Sequence, residues 1–191
     1  MRFFHTALIG MIAACAAPGV AKDDFPPNVT IAKDKTVQLI DWSFQFDRPL
    51  EFSRLKRCVA ANVQSDQVQL RDSAGSWVGP ATGNYYSGDN RTTVQGRDIF
   101  KFVDEKAQVM VVQGQTDRTS GLSGWIIRFD LEVALEPQNV VMVMRNLKLA
   151  ASNTGVAAND GFRPLGSWYR FKSNYAALAA VTSVLKECLT Q

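Results

Sequence analysis

Residues 125 to 133 alternate so that Trp125, Ile127, Phe129, Leu131 and Val133 share one side while Arg128, Asp130 and Glu132 share the other. An extended strand, whose side chains alternate with a period of two, sorts that pattern into a dry face and a wet one. Ile40, Trp42, Phe44 and Phe46 repeat it against Asp41, Ser43 and Gln45 within residues 37 to 46. Strands buried on one face belong to an antiparallel sheet with a covering layer on the apolar side. Parallel sheets bury both faces and read as continuous apolar runs instead.

Two amphipathic segments can supply the covering layer. Residues 50 to 63 place Phe52, Leu55, Val59 and Val63 on one stripe, opposite Arg54 and Arg57. Asp47 or Arg48 is the expected cap, with Pro49 in the first turn. Residues 174 to 190 carry the stripe Tyr175, Leu178, Thr182, Leu185 and Leu189, with Ser173 as the expected N-cap. At 3.6 residues per turn, Cys58 lies about 100° from the centre of its stripe and Cys188 about 80° from the centre of its own. Cysteines on the shoulder of a buried face point towards a neighbouring helix, so the spacing predicts a Cys58–Cys188 disulfide in an oxidising compartment.

Between the helices the pattern predicts a short strand at residues 67 to 71 and then a Gly-, Asn- and Tyr-rich excursion. It further predicts a hairpin of residues 94 to 103 with 108 to 113, the strand at 125 to 133, and a last strand at 140 to 149. The order is β-α-β5-α: an α+β fold in which an antiparallel sheet of five to six strands carries two helices packed on one face. This order resembles the TATA-binding-protein-like topology, strand-helix-four strands-helix, and less closely the helix-grip folds. The resemblance lies in topology alone and implies a fold, not a function.

Ahead of the domain, Arg2 and the apolar run from Phe3 to Ala17, interrupted by His5 and Thr6, have the anatomy of a secretory signal. The run is shorter than the roughly 20 apolar residues that a membrane-spanning helix needs. Two processing routes stand. Gly19-Val20-Ala21 supplies small residues for cleavage before Lys22, making residues 1 to 21 the signal and the product a periplasmic protein. Ile12-Ala13-Ala14-Cys15 resembles the bacterial lipobox, which would remove residues 1 to 14 and acylate Cys15, anchoring a lipoprotein in the outer membrane. Residues 22 to 36, with Pro26-Pro27, read as an extended lead-in, and residues 37 to 191 as one domain.

Composition narrows the chemistry. The formal charge of +3 includes Arg2, and acids and bases are interspersed, so no clustered basic face suits nucleic acid. His5, the one histidine, lies in the signal. Its removal leaves no Ser-His-Asp or Cys-His arrangement and no His-ligated zinc, and a disulfide consumes the remaining thiols; no metal or cofactor is expected. Ser53-x-x-Lys56 and Ser183-x-x-Lys186 match the pattern of penicillin-interacting enzymes without its companion elements, and both serines lie on polar helix faces. Asp130 and Glu132, two residues apart on one strand face, stand roughly 7 Å from each other, within the range of an inverting glycosidase pair. Alternating charge on a wet sheet face is the simpler explanation, because nothing in the pattern implies burial or a raised pKa.

Two long loops carry the candidate binding residues: Trp77, Tyr85 and Tyr86 in one, Phe162, Arg163, Trp168, Tyr169 and Arg170 in the other. Aromatic rings beside an arginine offer large contact area at low entropic cost, which suits a peptide or sugar. The expectation is therefore a non-enzymatic envelope domain binding a protein, peptide or glycan partner, with an inhibitor or immunity protein as a subclass. The alternative is a carboxylate-based hydrolase of envelope glycans using Asp130 and Glu132.

Overall fold

The computed structural model describes residues 25–120 and 123–191. The expectations for the signal, its cleavage and Cys15 lie outside the described residues. The sheet contains β1 (Val29–Ile31), β2 (Val37–Gln45), β7 (Phe100–Asp104), β8 (Val109–Ser120), β9 (Ser123–Glu136), β10 (Asn139–Ala151) and β11 (Arg163–Pro164). Its order is β1-β2-β10-β9-β8-β7, with β11 pairing the far end of β10, and these strands pair antiparallel throughout. The fold is thus an antiparallel α+β arrangement with a sheet of seven strands, more than the five or six expected. The excess comes from β1, formed within the segment read as a lead-in, and from β11, a two-residue strand within a long loop. Elements this short leave no periodicity to read.

Helices α1 (Phe52–Asn62) and α2 (Phe171–Thr190) pack on the same apolar sheet face. Phe52, Leu55 and Val59 of α1 and Leu178, Leu185 and Leu189 of α2 join Ile127, Phe129, Leu131 and Val133 of β9 in one buried cluster. Each fully buried leucine there contributes roughly 1.5–3 kcal/mol relative to exposure. Cys58 and Cys188 are joined across the helix pair, with their Cα atoms 5.8 Å apart. Arg54 Nη2 and Arg48 Nη2 donate to the carbonyls of Cys188 and Thr190 at 3.2 and 3.3 Å. Cations there satisfy and offset the partial negative charge of the α2 C-terminus.

Both helix starts differ from expectation. α1 begins after Glu51, leaving Pro49 outside the helix, and no side chain caps it; Ser53 Oγ donates to Glu51 instead. α2 begins at Phe171, before Ser173, because Arg170 at φ 47° turns the chain directly into the helix. A left-handed arginine is uncommon, and sequence gives no sign of it.

Two local devices keep the core face continuous. Val140, Met142 and Met144 are buried at even positions of β10 but Leu147 and Leu149 at odd ones. The switch occurs at a bulge between Arg145 and Lys148, where Asn146 adopts φ 51° and supplies the extra residue. On β8, Gly114 faces Phe129; a Cβ there would stand 2.5 Å from the Phe129 ring and 2.8 Å from Val63, so only glycine lets the ring pass beneath the end of α1.

The opposite sheet face is not simply wet. β3 (Val68–Asp72) and β6 (Asn90–Val94) form a separate ribbon, and Val68 and Leu70 are buried on it against Ile126 and Ala150 of the sheet. This corrects the expected hairpin of residues 94 to 103: Val94 ends the ribbon, and only Phe100–Asp104 pairs with β8. At the ribbon's tip, β4 (Trp77–Val78) pairs with β5 (Tyr85–Tyr86).

Candidate functional site

The second long loop is fixed by backbone pairing before it reaches α2. Leu165 N donates to Leu147 O, Val37 N donates to Leu165 O, and Ser167 N donates to Lys35 O, lacing the segment between β10 and the start of β2. Trp168 then folds back over Gly166, whose missing Cβ would lie 2.7 Å from the indole Nε1. The indole stays 70% exposed. Tyr169 meets Trp168 edge-on at 5.8 Å and packs inward, 5.2 Å from Trp125 of β9. Adjacent aromatics thus divide into one surface ring and one anchor.

Around Trp168 lies a cavity of about 670 Å³ at the N-terminus of α2. Its apolar side is a run of rings: Phe25 meets Phe171 edge-on at 4.9 Å, Phe171 lies 5.9 Å from Tyr175, and Tyr175 stacks on Trp42 at 6.1 Å. Its polar side is Ser167, Arg170, Lys172 and Ser173, with no carboxylate in the lining. No side chain caps α2, so the first N–H groups of the helix add positive character at the same spot. Ser167 is 8% exposed and its hydroxyl has no hydrogen-bond partner among the described residues. The site combines a flat apolar wall, two cations, an uncapped helix start and a spare hydroxyl. Such a combination can seat an anionic group attached to an apolar one.

Beneath Tyr169 and Trp125 sits a further cation. Arg118 of β8 is 7% exposed, stands 5.6 Å from the Trp125 ring centre, and its three guanidinium nitrogens lack partners among the described residues. Burial pulls this guanidinium below its ordinary pKa; Tyr169 works against that and Arg170 adds to it.

The remaining candidates lie elsewhere. Trp77 and Tyr86 face each other across the ribbon tip, stacked at 4.6 Å, and with Tyr85 they are exposed. Among the described residues no ring of this pair meets a ring of the Trp168 cluster. Phe162 is half-buried under the Arg128 guanidinium at 4.7 Å, and Arg163 is exposed on β11. Of the eight candidates, only Trp168 and Arg170 line the α2 cavity. Sequence reading missed Phe25, Ser167, Lys172 and Tyr175. Tyr175 falls on the helical stripe and so reads as core, and Phe25 lies in a lead-in without periodicity.

Asp130 and Glu132 do not share a cleft with either exposed tryptophan. Asp130 is ion-paired to Lys101 through one oxygen and accepts from Asn146 Nδ2 at 2.6 Å through the other. Glu132 is half-exposed and faces Arg145 at 3.8 Å. Ser53 and Ser183 are exposed, and Ser183 donates back to Ala179 O.

The class defined by these features is a disulfide-stapled antiparallel α+β domain with a cationic, aromatic cavity at a helix start. No protein-family model matches the chain. No curated protein matches it either. Among solved structures, the chain is similar to a DUF4468 family protein from Bacteroides ovatus ATCC 8483, at 9% identity and a TM-score of 0.38, over 85% of this chain and 84% of that one. Function therefore has to be argued from the site. Among the described residues no helix is long and apolar enough to cross a membrane.

Proposed function

We propose that the chain is an exported, non-enzymatic binding domain of the bacterial cell envelope that captures an acidic protein or peptide segment in the cavity at the start of α2. One observation carries this reading: Trp168, Arg170, Lys172 and the unpartnered Ser167 hydroxyl converge on one 670 Å³ cavity without a carboxylate to balance them. An acidic segment with one apolar side chain would place its carboxylate against the cations and helix start, and its apolar group against Trp168 and Phe171. A neutral glycan would use the rings and leave the cations idle. The export reading rests on the signal anatomy of residues 1 to 21 and on the disulfide, which persists in oxidising compartments. Cleavage before Lys22 or acylation of Cys15 are its two forms.

The topology proposed with it is TATA-binding-protein-like. Setting aside β1, β11 and the ribbon insert leaves β2-α1-β7-β8-β9-β10-α2, which has the strand-helix-four strands-helix order. The carboxylate hydrolase draws no comparable support, since both oxygens of Asp130 are already engaged.

Calorimetry with a short Asp- and Glu-rich peptide containing one Phe, its Asn and Gln counterpart and a peptidoglycan fragment tests the reading. The acidic peptide should bind, and Trp168→Ala and Arg170→Ala should each weaken it by about tenfold, as loss of a central anchor does. Binding of the glycan alone, or equal affinity in both variants, would remove this surface from consideration.

A further inference from the structure

The sheet face turned away from the helices carries a second cavity, of about 480 Å³, beside the β3–β6 ribbon. Its charge is one-sided: Arg97, Lys101, Arg128 and Lys148 line it against the single carboxylate of Asp130. That carboxylate is occupied, by Lys101 on one oxygen and by Asn146 on the other. Asn146 owes its direction to the β10 bulge, where its left-handed backbone interrupts the strand. Bulges commonly re-aim a side chain at functional positions.

The cations that remain have no anion of their own. Arg128 Nη2 reaches only backbone carbonyls, those of Asp66, Val94 and Gln95 at 3.3, 3.5 and 3.4 Å, and carbonyl dipoles orient a guanidinium without neutralising it. Its other face lies on the Phe162 ring. Arg97 and Lys148 make no ion pair or side-chain hydrogen bond among the described residues. Gln113, only 8% exposed, lines the same cavity and adds a neutral side chain to its wall.

We propose that this cavity binds a small, multiply charged oxyanion ligand, one carrying phosphate or several carboxylates, held by Arg97 and Lys148 with Gln113 as a neutral donor. Arg128 supplies fixed positive potential from the cavity wall. Charge-assisted hydrogen bonds from guanidinium and ammonium to such oxygens are about twice as strong as neutral ones. The site is separate from the α2 cavity, so each proposal stands or falls without the other.

The test is a titration of the full mature chain, labelled with 15N, against pyrophosphate and separately against citrate at constant ionic strength. Saturable shifts at the Gln113 side chain and the Lys148 amide are expected with at least one of them, and the better ligand identifies phosphate or carboxylate as the source. Substituting the two exposed residues, Arg97→Ala with Lys148→Ala, should weaken binding about tenfold or more, while Asp130→Asn, which frees Lys101, should tighten it severalfold. Absence of saturable shifts with both anions, or full affinity in the Arg97→Ala, Lys148→Ala protein, would overturn the assignment.

Discussion

At the scale of single residues, Arg118 is the side chain whose surroundings agree least with its chemistry. A guanidinium carries five donors and a permanent charge, yet here it lies buried against Trp125 with no acceptor among the described residues. A donor left unbonded in the interior costs more than an apolar group of like length. Arg118→Met, which keeps the stem and discards the charge, should therefore leave unfolding free energy unchanged or raise it by about 1 kcal/mol. Chemical denaturation of the two proteins reads this directly, and a loss above about 2 kcal/mol would mean that the guanidinium has an acceptor in solution.

At the scale of elements, the ribbon insert depends on Asp72. Its carboxylate accepts from Asn90 Nδ2 at 2.7 Å, Ala74 N at 2.9 Å and Asn159 N at 3.0 Å, while Asn159 Nδ2 reaches Ala151 O at 2.9 Å. One acid thus ties both ribbon strands to the loop that follows β10. Asn90, Ala74 and Asn159 together hold its pKa below the ordinary carboxylate value. With the folded pKa depressed, the tie is fully present above the unfolded value of about 3.9 and is lost as pH falls through the folded one. Protection of the Arg71 and Asn159 amides, taken relative to their intrinsic exchange rates, should therefore fall below about pH 4, before the sheet opens. Asp72→Asn should show fast ribbon exchange already at neutral pH, and unchanged protection there would contradict the account.

The same elements show what sequence could and could not reveal. β2, β9 and the two helices were legible because each spans enough residues for its period to repeat, and the helical wheel located both cysteines. β10 was legible up to Arg145; past that point Asn146 shifts the register, which no alternation rule anticipates. Of the ribbon, the strand at residues 67 to 71 was legible as β3 but its pairing and burial were not, because Val68 and Leu70 are two apolar positions among polar ones and their burial depends on Ile126, a residue facing the side expected to be wet. Of the loop residues expected to bind, Trp168 and Arg170 line the α2 cavity, whereas Trp77 and Tyr86 form a separate surface and Tyr169 packs against Trp125. Aromatic residues in a loop look alike in sequence whichever way the backbone turns them.

At the scale of the whole molecule, the helix pair is held by sulfur as well as by packing. The bond joins residues separated by 130 positions, a span for which constraint of the unfolded chain stabilises by about 5 kcal/mol in the entropic model. That is comparable with the total net stability of many domains. Replacing both cysteines by alanine should lower the unfolding free energy by up to that amount, read by guanidinium denaturation, with the far-ultraviolet spectrum retained if the sheet still forms. A change near zero would mean that packing alone fixes the two helices.

The span of that bond also makes most of the molecule a covalent ring. Everything from the middle of α1 to the last turn of α2, including the projecting aromatic tip at Trp77 and Tyr86, lies inside it. A protease that severs the chain once at this tip produces two fragments that remain one molecule. Surface damage at this exposed tip is thereby prevented from shedding either half until a reductant arrives.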